Sequence, residues 1–139
     1  MAAASARERI AACRADFAAQ LQSYRGLVAA ASKASGMSLA RIDAALAAFE
    51  PGYFNSLLVA LDARFAPRAR GVGGALDEMR LLVDAITANA GVLAADAAVA
   101  YDPAKSVLKI DIGDRVALNA DDFEAVARAF LAAIEQEAG

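Results

Sequence analysis

The chain has no histidine and no tryptophan, and its 139 residues include a single cysteine and three prolines, with aromatics at only 6%. Without histidine the usual neutral-pH general base and the commonest transition-metal ligand are gone, which excludes Ser-His-Asp and Cys-His machinery. An enzyme built from this sequence has only Asp, Glu, Lys, Arg, Tyr and backbone groups to work with. A lone cysteine, Cys13, cannot form an intramolecular disulfide, in keeping with a reducing cytosol. Basic excess is missing too. The formal net charge is −3 and the pI is near 4.9, so broad attraction to nucleic acid or anionic lipid is not expected, although a local basic patch stays open. No apolar run approaches the roughly 18 residues of a membrane span. Charge arrives early, at Arg7, Glu8 and Arg9, where a signal peptide would carry its apolar region. These absences predict a cytoplasmic protein with no cofactor, no metal and no nucleic-acid or membrane partner.

Alanine is what the chain has in abundance. It lifts the apolar fraction to 59%, favours helix and lets helices approach closely. A chain of this length can bury a core as one domain without metals or disulfides. Residues 49–65 hold the densest large-apolar content: Phe54, Leu57, Leu58, Leu61 and Phe65 recur at helical spacing, and Tyr53 and Val59 widen the stripe. Such a wide stripe predicts a central helix surrounded by several partners.

Upstream, Ile10, Cys13, Phe17, Leu21, Tyr24 and Val28 step by three or four, with Leu27 beside them, and predict a helix over residues 4–32. At about 40 Å it is longer than a small domain needs, so either part of it packs on another subunit or it lies across the whole of its own domain. Ser35-Gly36-Met37-Ser38 interrupts the pattern and a short helix follows over residues 39–49. Pro51 disfavours helical geometry at Glu50 yet suits a first turn, which predicts a corner and a new helix starting at Pro51. Leu76, Met79, Leu82, Val83 and Ile86 predict a helix over residues 75–89, stopped by Asn89-Ala90-Gly91.

After Gly91 the apolar period shifts toward two. Asp102-Pro103 signals a turn, and Leu108, Ile110 and Ile112 alternate with Val107, Lys109 and Asp111. Asn119 then caps a last helix carrying Phe123, Val126, Phe130 and Ile134. The expected architecture is α+β in one domain over residues 1–139. About five helices form a mostly helical bundle, and a small antiparallel meander of two or three strands near residues 98–118 lies under the C-terminal helix.

Chemistry-bearing candidates are few. The loop before the third large helix contains Gly71, Gly73 and Gly74, and its amides together with Arg64, Arg68, Arg70 and Arg80 are candidates to bind an anion such as phosphate or a nucleotide. Neither the dinucleotide fingerprint nor the Walker pattern is present. Asp111, Asp114, Asp121 and Asp122 lack the alternating ligand positions of a calcium loop. Cys13 lies on an apolar stripe as a packed thiol. Ile10, Phe17, Leu21, Tyr24 and Val28 are the candidates for an interface between subunits.

The run Glu50-Pro51-Gly52-Tyr53-Phe54-Asn55 with Leu58-Val59-Ala60-Leu61-Asp62, then Asn89-Ala90-Gly91-Val92-Leu93 and Tyr101-Asp102-Pro103 to Ser106-Val107-Leu108, resembles a family of small uncharacterised bacterial proteins. The resemblance spans roughly residues 49–135. It implies a single α+β domain and brings no assigned activity and no catalytic residues.

These readings converge on a non-enzymatic cytoplasmic protein acting through protein–protein contacts as a homodimer. An alternative is a small-ligand or anion-binding protein using the arginine- and glycine-rich loop over residues 68–74. A third, a secretion-type chaperone, rests on small size, acidity and fold class alone.

Overall fold

The computed structural model describes residues 5–33, 38–65, 73–99 and 101–138. Four helices make up most of them: α1 (Ala6–Ala31), α2 (Ser38–Ala63), α3 (Gly74–Ala88) and α4 (Ala120–Ala138). Helix α1 opens on a reciprocal cap, with the Glu8 amide donating to Ser5 Oγ at 3.1 Å and the Ser5 amide to the Glu8 carboxylate at 3.0 Å. Helix α3 stops at Asn89, where Ala90 (φ 54°) and Gly91 (φ 83°) turn left-handed and the Gly91 amide returns to the Ala85 carbonyl at 2.7 Å. The Asp122 amide donates to Asn119 Oδ1 at 2.8 Å and so caps α4.

The corner expected at Pro51 does not form. Residues 39–49 and 51–63 are one helix running through the proline. The bond lost is the one to the carbonyl of Ala47, which sits on an exposed turn where water can take it. By helical spacing Ala47 and Pro51 share the face of Phe54 and Leu58, and Ala47 is open to water because it lies past the level of the buried core, so the stripe stays in register without burying the lost bond.

Helices α2 and α4 form the centre, each packing on the other and on both α1 and α3, while α1 and α3 do not pack on each other. Helix α4 runs antiparallel to α1: Arg14 pairs with Glu135 at one end, and Arg25 with Asp121 and Glu124 at the other. Phe54, Leu58 and Leu61 of α2 and Phe123 and Phe130 of α4 are fully buried. The Phe54 and Phe123 rings lie 5.7 Å apart, and Phe17 reaches Phe123 at 5.8 Å. Each such side chain contributes about 1.5–3 kcal/mol of burial. Encirclement of α2 is partial, since Tyr53, Leu57 and Val59 are half-buried and Gly52, Ser56 and Ala60 face water.

The expected α+β class is overturned: the described chain is an all-helical bundle of four helices, with no strand and no meander over residues 98–118. Only an isolated antiparallel bridge, Val92 to Arg115, remains, flanked by bonds from Gly113 and Val116 back to Leu93 and Gly91. The reason lies in the donors and acceptors a ladder would need. The Val107 and Leu108 amides donate to the buried carboxylate of Glu78, the Lys109 amide to Ser106 Oγ, and the Asp111 amide to Asp114 Oδ2. The Ile110 carbonyl accepts from Tyr101 Oη. Asn55 takes the Val116 carbonyl and the Leu118 amide. Lys109, at φ 57°, also breaks the extended run. Side chains have taken these backbone groups, and what is left pairs only at the one bridge.

Candidate functional site

Two surface features stand out, and both are built on α1. The first is a two-helix arm. None of residues 25–33 or 40–49 is buried, and α4 begins at Ala120, opposite Arg25. The ends of α1 and α2 therefore project past the bundle as an antiparallel hairpin. At its base Tyr24 packs edge-on to Phe54 at 4.9 Å and stacks on Tyr53 and Phe49 at 6.0 and 6.4 Å. Tyr24 Oη donates to the Glu50 carboxylate at 2.5 Å, and Tyr53 Oη to Gln20 at 2.9 Å. Burial first, then the Glu50 carboxylate, pushes the Tyr24 phenol up to about 12. Outward from this clasp, Leu27 is 59% exposed and Phe49 50%. The surrounding surface is alanine: Ala29, Ala30, Ala44, Ala45, Ala47 and Ala48 all face water.

The second feature is a groove of about 370 Å³ between α1 and α4. Phe17, Leu21, Phe123 and Leu131 make its floor, and Arg14, Arg25, Glu124 and Arg128 its rim. Arg25 bonds Asp121 at 2.9 Å and Glu124 at 3.0 Å, which holds the Glu124 carboxyl below its ordinary range. Arg128 reaches Glu124 only at 4.0 Å.

No family profile, curated protein or solved structure matches this chain.

The interface residues read from the sequence are mostly enclosed within the fold. Ile10, Phe17, Leu21 and Tyr24 are buried and Val28 is half-buried. The apolar surface of that helix is Leu27, which periodicity places only at the margin of the stripe. Of the anion candidates, Arg68, Arg70 and Gly71 lie outside the described residues. Arg64 is engaged by Asp16 at 2.7 Å and lies 5.8 Å over the Phe17 ring. Gly73 and Gly74 stand at the start of α3 with φ 83° and 63°, but the Gly73 amide already donates to the Asp77 carboxylate at 2.8 Å. Arg80 is half-buried further along α3. Among the described residues no group of three or more Cys, Asp or Glu side chains is placed to hold a metal ion. Cys13 is fully buried, and burial pushes its thiol up, away from the reactive thiolate.

Glu50, Asn55 and Glu78 are polar residues whose structural roles the sequence did not reveal. Each sits on a helix whose apolar neighbours drew attention, and each is used structurally: Glu50 holds Tyr24, Asn55 the chain before α4, and Glu78 the turn after Pro103. By length and composition alone, residues Ala40–Ala63 of α2 would suffice to cross a membrane, although no uninterrupted apolar run signals it.

Proposed function

We propose that the protein acts as a contact module that pairs with a second copy of itself through the projecting α1–α2 arm. The observation that carries this reading is the exposure of Leu27 and Phe49 on a helical hairpin whose remaining surface is largely alanine. A two-helix hairpin is half of a four-helix bundle, and alanine surfaces let a second hairpin approach closely. Lys33, Arg41 and Asp43 are the charged residues on residues 26–33 and 40–49, so desolvating this surface removes few ions from water. A strongly charged partner would find little to pair with.

Sedimentation equilibrium tests it. Wild-type protein is expected to be dimeric at high micromolar concentration. Leu27→Glu and Ala45→Glu, both at exposed positions, are expected to shift it to monomer with an unchanged far-UV spectrum. A wild-type monomer at that concentration overturns the proposal. So does flotation of wild-type protein with lipid vesicles in place of dimerisation, which would assign the apolar arm to a bilayer.

A further inference from the structure

A glycine inside a helix weakens it relative to alanine, and a proline there removes a backbone bond. Helices α1 and α2 carry these residues at one shared level. In α1, Arg25 bonds Asp121 and Glu124 of α4 at 2.9 and 3.0 Å, and Gly26 comes next. In α2, read toward the arm, Phe54 is fully buried and Tyr53 donates to Gln20 at 2.9 Å, and then come Gly52 and Pro51. Each helix therefore meets its weakest backbone where it leaves the bundle.

Packing does not call for either glycine. A Cβ at Gly26 or Gly52 would meet no atom within 4 Å, and neither residue turns left-handed. Alanine, abundant elsewhere in the chain, would fit both positions and strengthen both helices. Sharp bends in helices form at Pro and Gly, so the placement of all three residues at one level favours bending there.

What crosses this level is slight. Tyr24 Oη donates to the Glu50 carboxylate at 2.5 Å, and the Phe49 ring stacks on Tyr24 and Tyr53 at 6.4 and 5.1 Å. Val28 and Leu46, both half-buried, complete the arm's contacts with the core. Stacked rings slide over one another, and the phenol can exchange its one carboxylate bond for water.

We infer that the arm is hinged: residues 27–33 and 40–49 swing as one body about Gly26 and Pro51-Gly52, and the Tyr24–Glu50 bond latches them in line with the bundle. A few small residues at element ends absorb the change in backbone angles, so both arm helices stay intact. Use of the hinge to bring Leu27 and Phe49 onto a second copy rests on the pairing proposed above. The hinge itself does not.

Double electron–electron resonance tests it in the full chain carrying Ala45→Glu, so that the result is independent of pairing through the arm. One spin-label pair joins bundle to arm, Ala12→Cys with Ala44→Cys, and the other stays in the bundle, Ala12→Cys with Ala88→Cys, all at exposed helical positions. Cys13 is buried and its thiol is pushed up, which keeps it unlabelled. The bundle–arm distances are expected to be the more widely spread. Combining Gly26→Ala, Pro51→Ala and Gly52→Ala is expected to narrow them to the spread within the bundle, and Tyr24→Phe to widen them further. A bundle–arm spread no wider than that within the bundle overturns the hinge, as does a spread that the triple variant leaves unchanged. Fraying of the arm would also widen the distances, so hydrogen exchange is followed on the same protein. The amides of residues 44–49 are expected to stay protected, and exchange there at the rate of an unfolded peptide overturns the hinge as well.

Discussion

Tyr24 donates its phenolic proton to Glu50 across the α1–α2 hairpin at 2.5 Å, at the level where the arm leaves the bundle. The bond ties a buried tyrosine to a half-buried carboxylate, with three other aromatic rings around it. It therefore couples the arm's geometry to one protonation state. The folded-state phenol is raised to about 12 from 10, so folding holds that proton more tightly than the unfolded chain does. The associated stability is complete below pH 10 and is lost as pH rises from 10 through about 12.

Tyr24→Phe should accordingly lower stability at neutral pH by about 1.5 kcal/mol, the scale of a hydrogen bond to a charged acceptor. It should also flatten the alkaline decline between about pH 10 and 12. Urea denaturation across that range measures both. An alkaline decline of wild-type steepness in the variant would mean that Tyr24 is not its source.

Glu78 is the second polar anchor. It is only 5% exposed, and its two carboxylate oxygens accept from the Val107 and Leu108 amides at 2.8 and 3.1 Å. Glu78→Ala should cost about 2–3 kcal/mol, because part-buried amides lose a charged acceptor. Hydrogen exchange resolves the local effect: protection at Val107 and Leu108 should fall well before that of the α2 core. Glu78→Gln keeps one acceptor and should fall between the two.

Asn55 is matched by geometry to the chain entering α4. Its Nδ2 donates to the Val116 carbonyl at 2.9 Å, and its Oδ1 accepts from the Leu118 amide at 3.2 Å. An aspartate supplies the acceptor and lacks the donor, so Asn55→Asp should lose part of the stability, and Asn55→Leu, which has neither, about 2 kcal/mol. Thermal melts of the two variants against wild type give the order.

Helical periodicity was legible because it depends on local spacing. The stripe from Ile10 to Tyr24 is buried in the α1 that it predicts, and Asn119 caps α4 as its side chain implies. Tertiary competition for hydrogen bonds was not legible. Of the alternating Leu108, Ile110 and Ile112, the first two are half-buried as in a strand and Ile112 is exposed, while Glu78, Ser106, Asp114, Tyr101 and Asn55 take the backbone groups from positions up to 63 residues away. The groove was hidden for a similar reason. Arg14, Arg25 and Arg128 are spread along the sequence, and only the antiparallel packing of α1 on α4 makes them one rim.

Pro51 tests the largest local departure from sequence expectation. Within a continuous α2 it costs one backbone hydrogen bond and a steric contact with the preceding turn, a penalty of about 3 kcal/mol at an unconstrained interior site. Part of that is relieved here because the turn carrying Ala47 is exposed to water. Pro51→Ala should therefore raise stability by about 1–2 kcal/mol while leaving the Tyr24–Glu50 bond in place. At a corner with Pro51 in a first helical turn, the proline would be favourable and its removal neutral or destabilising. Equilibrium unfolding of this one variant decides between the two geometries: a loss of stability would place the break at Glu50 and detach the arm from the helix that carries the core.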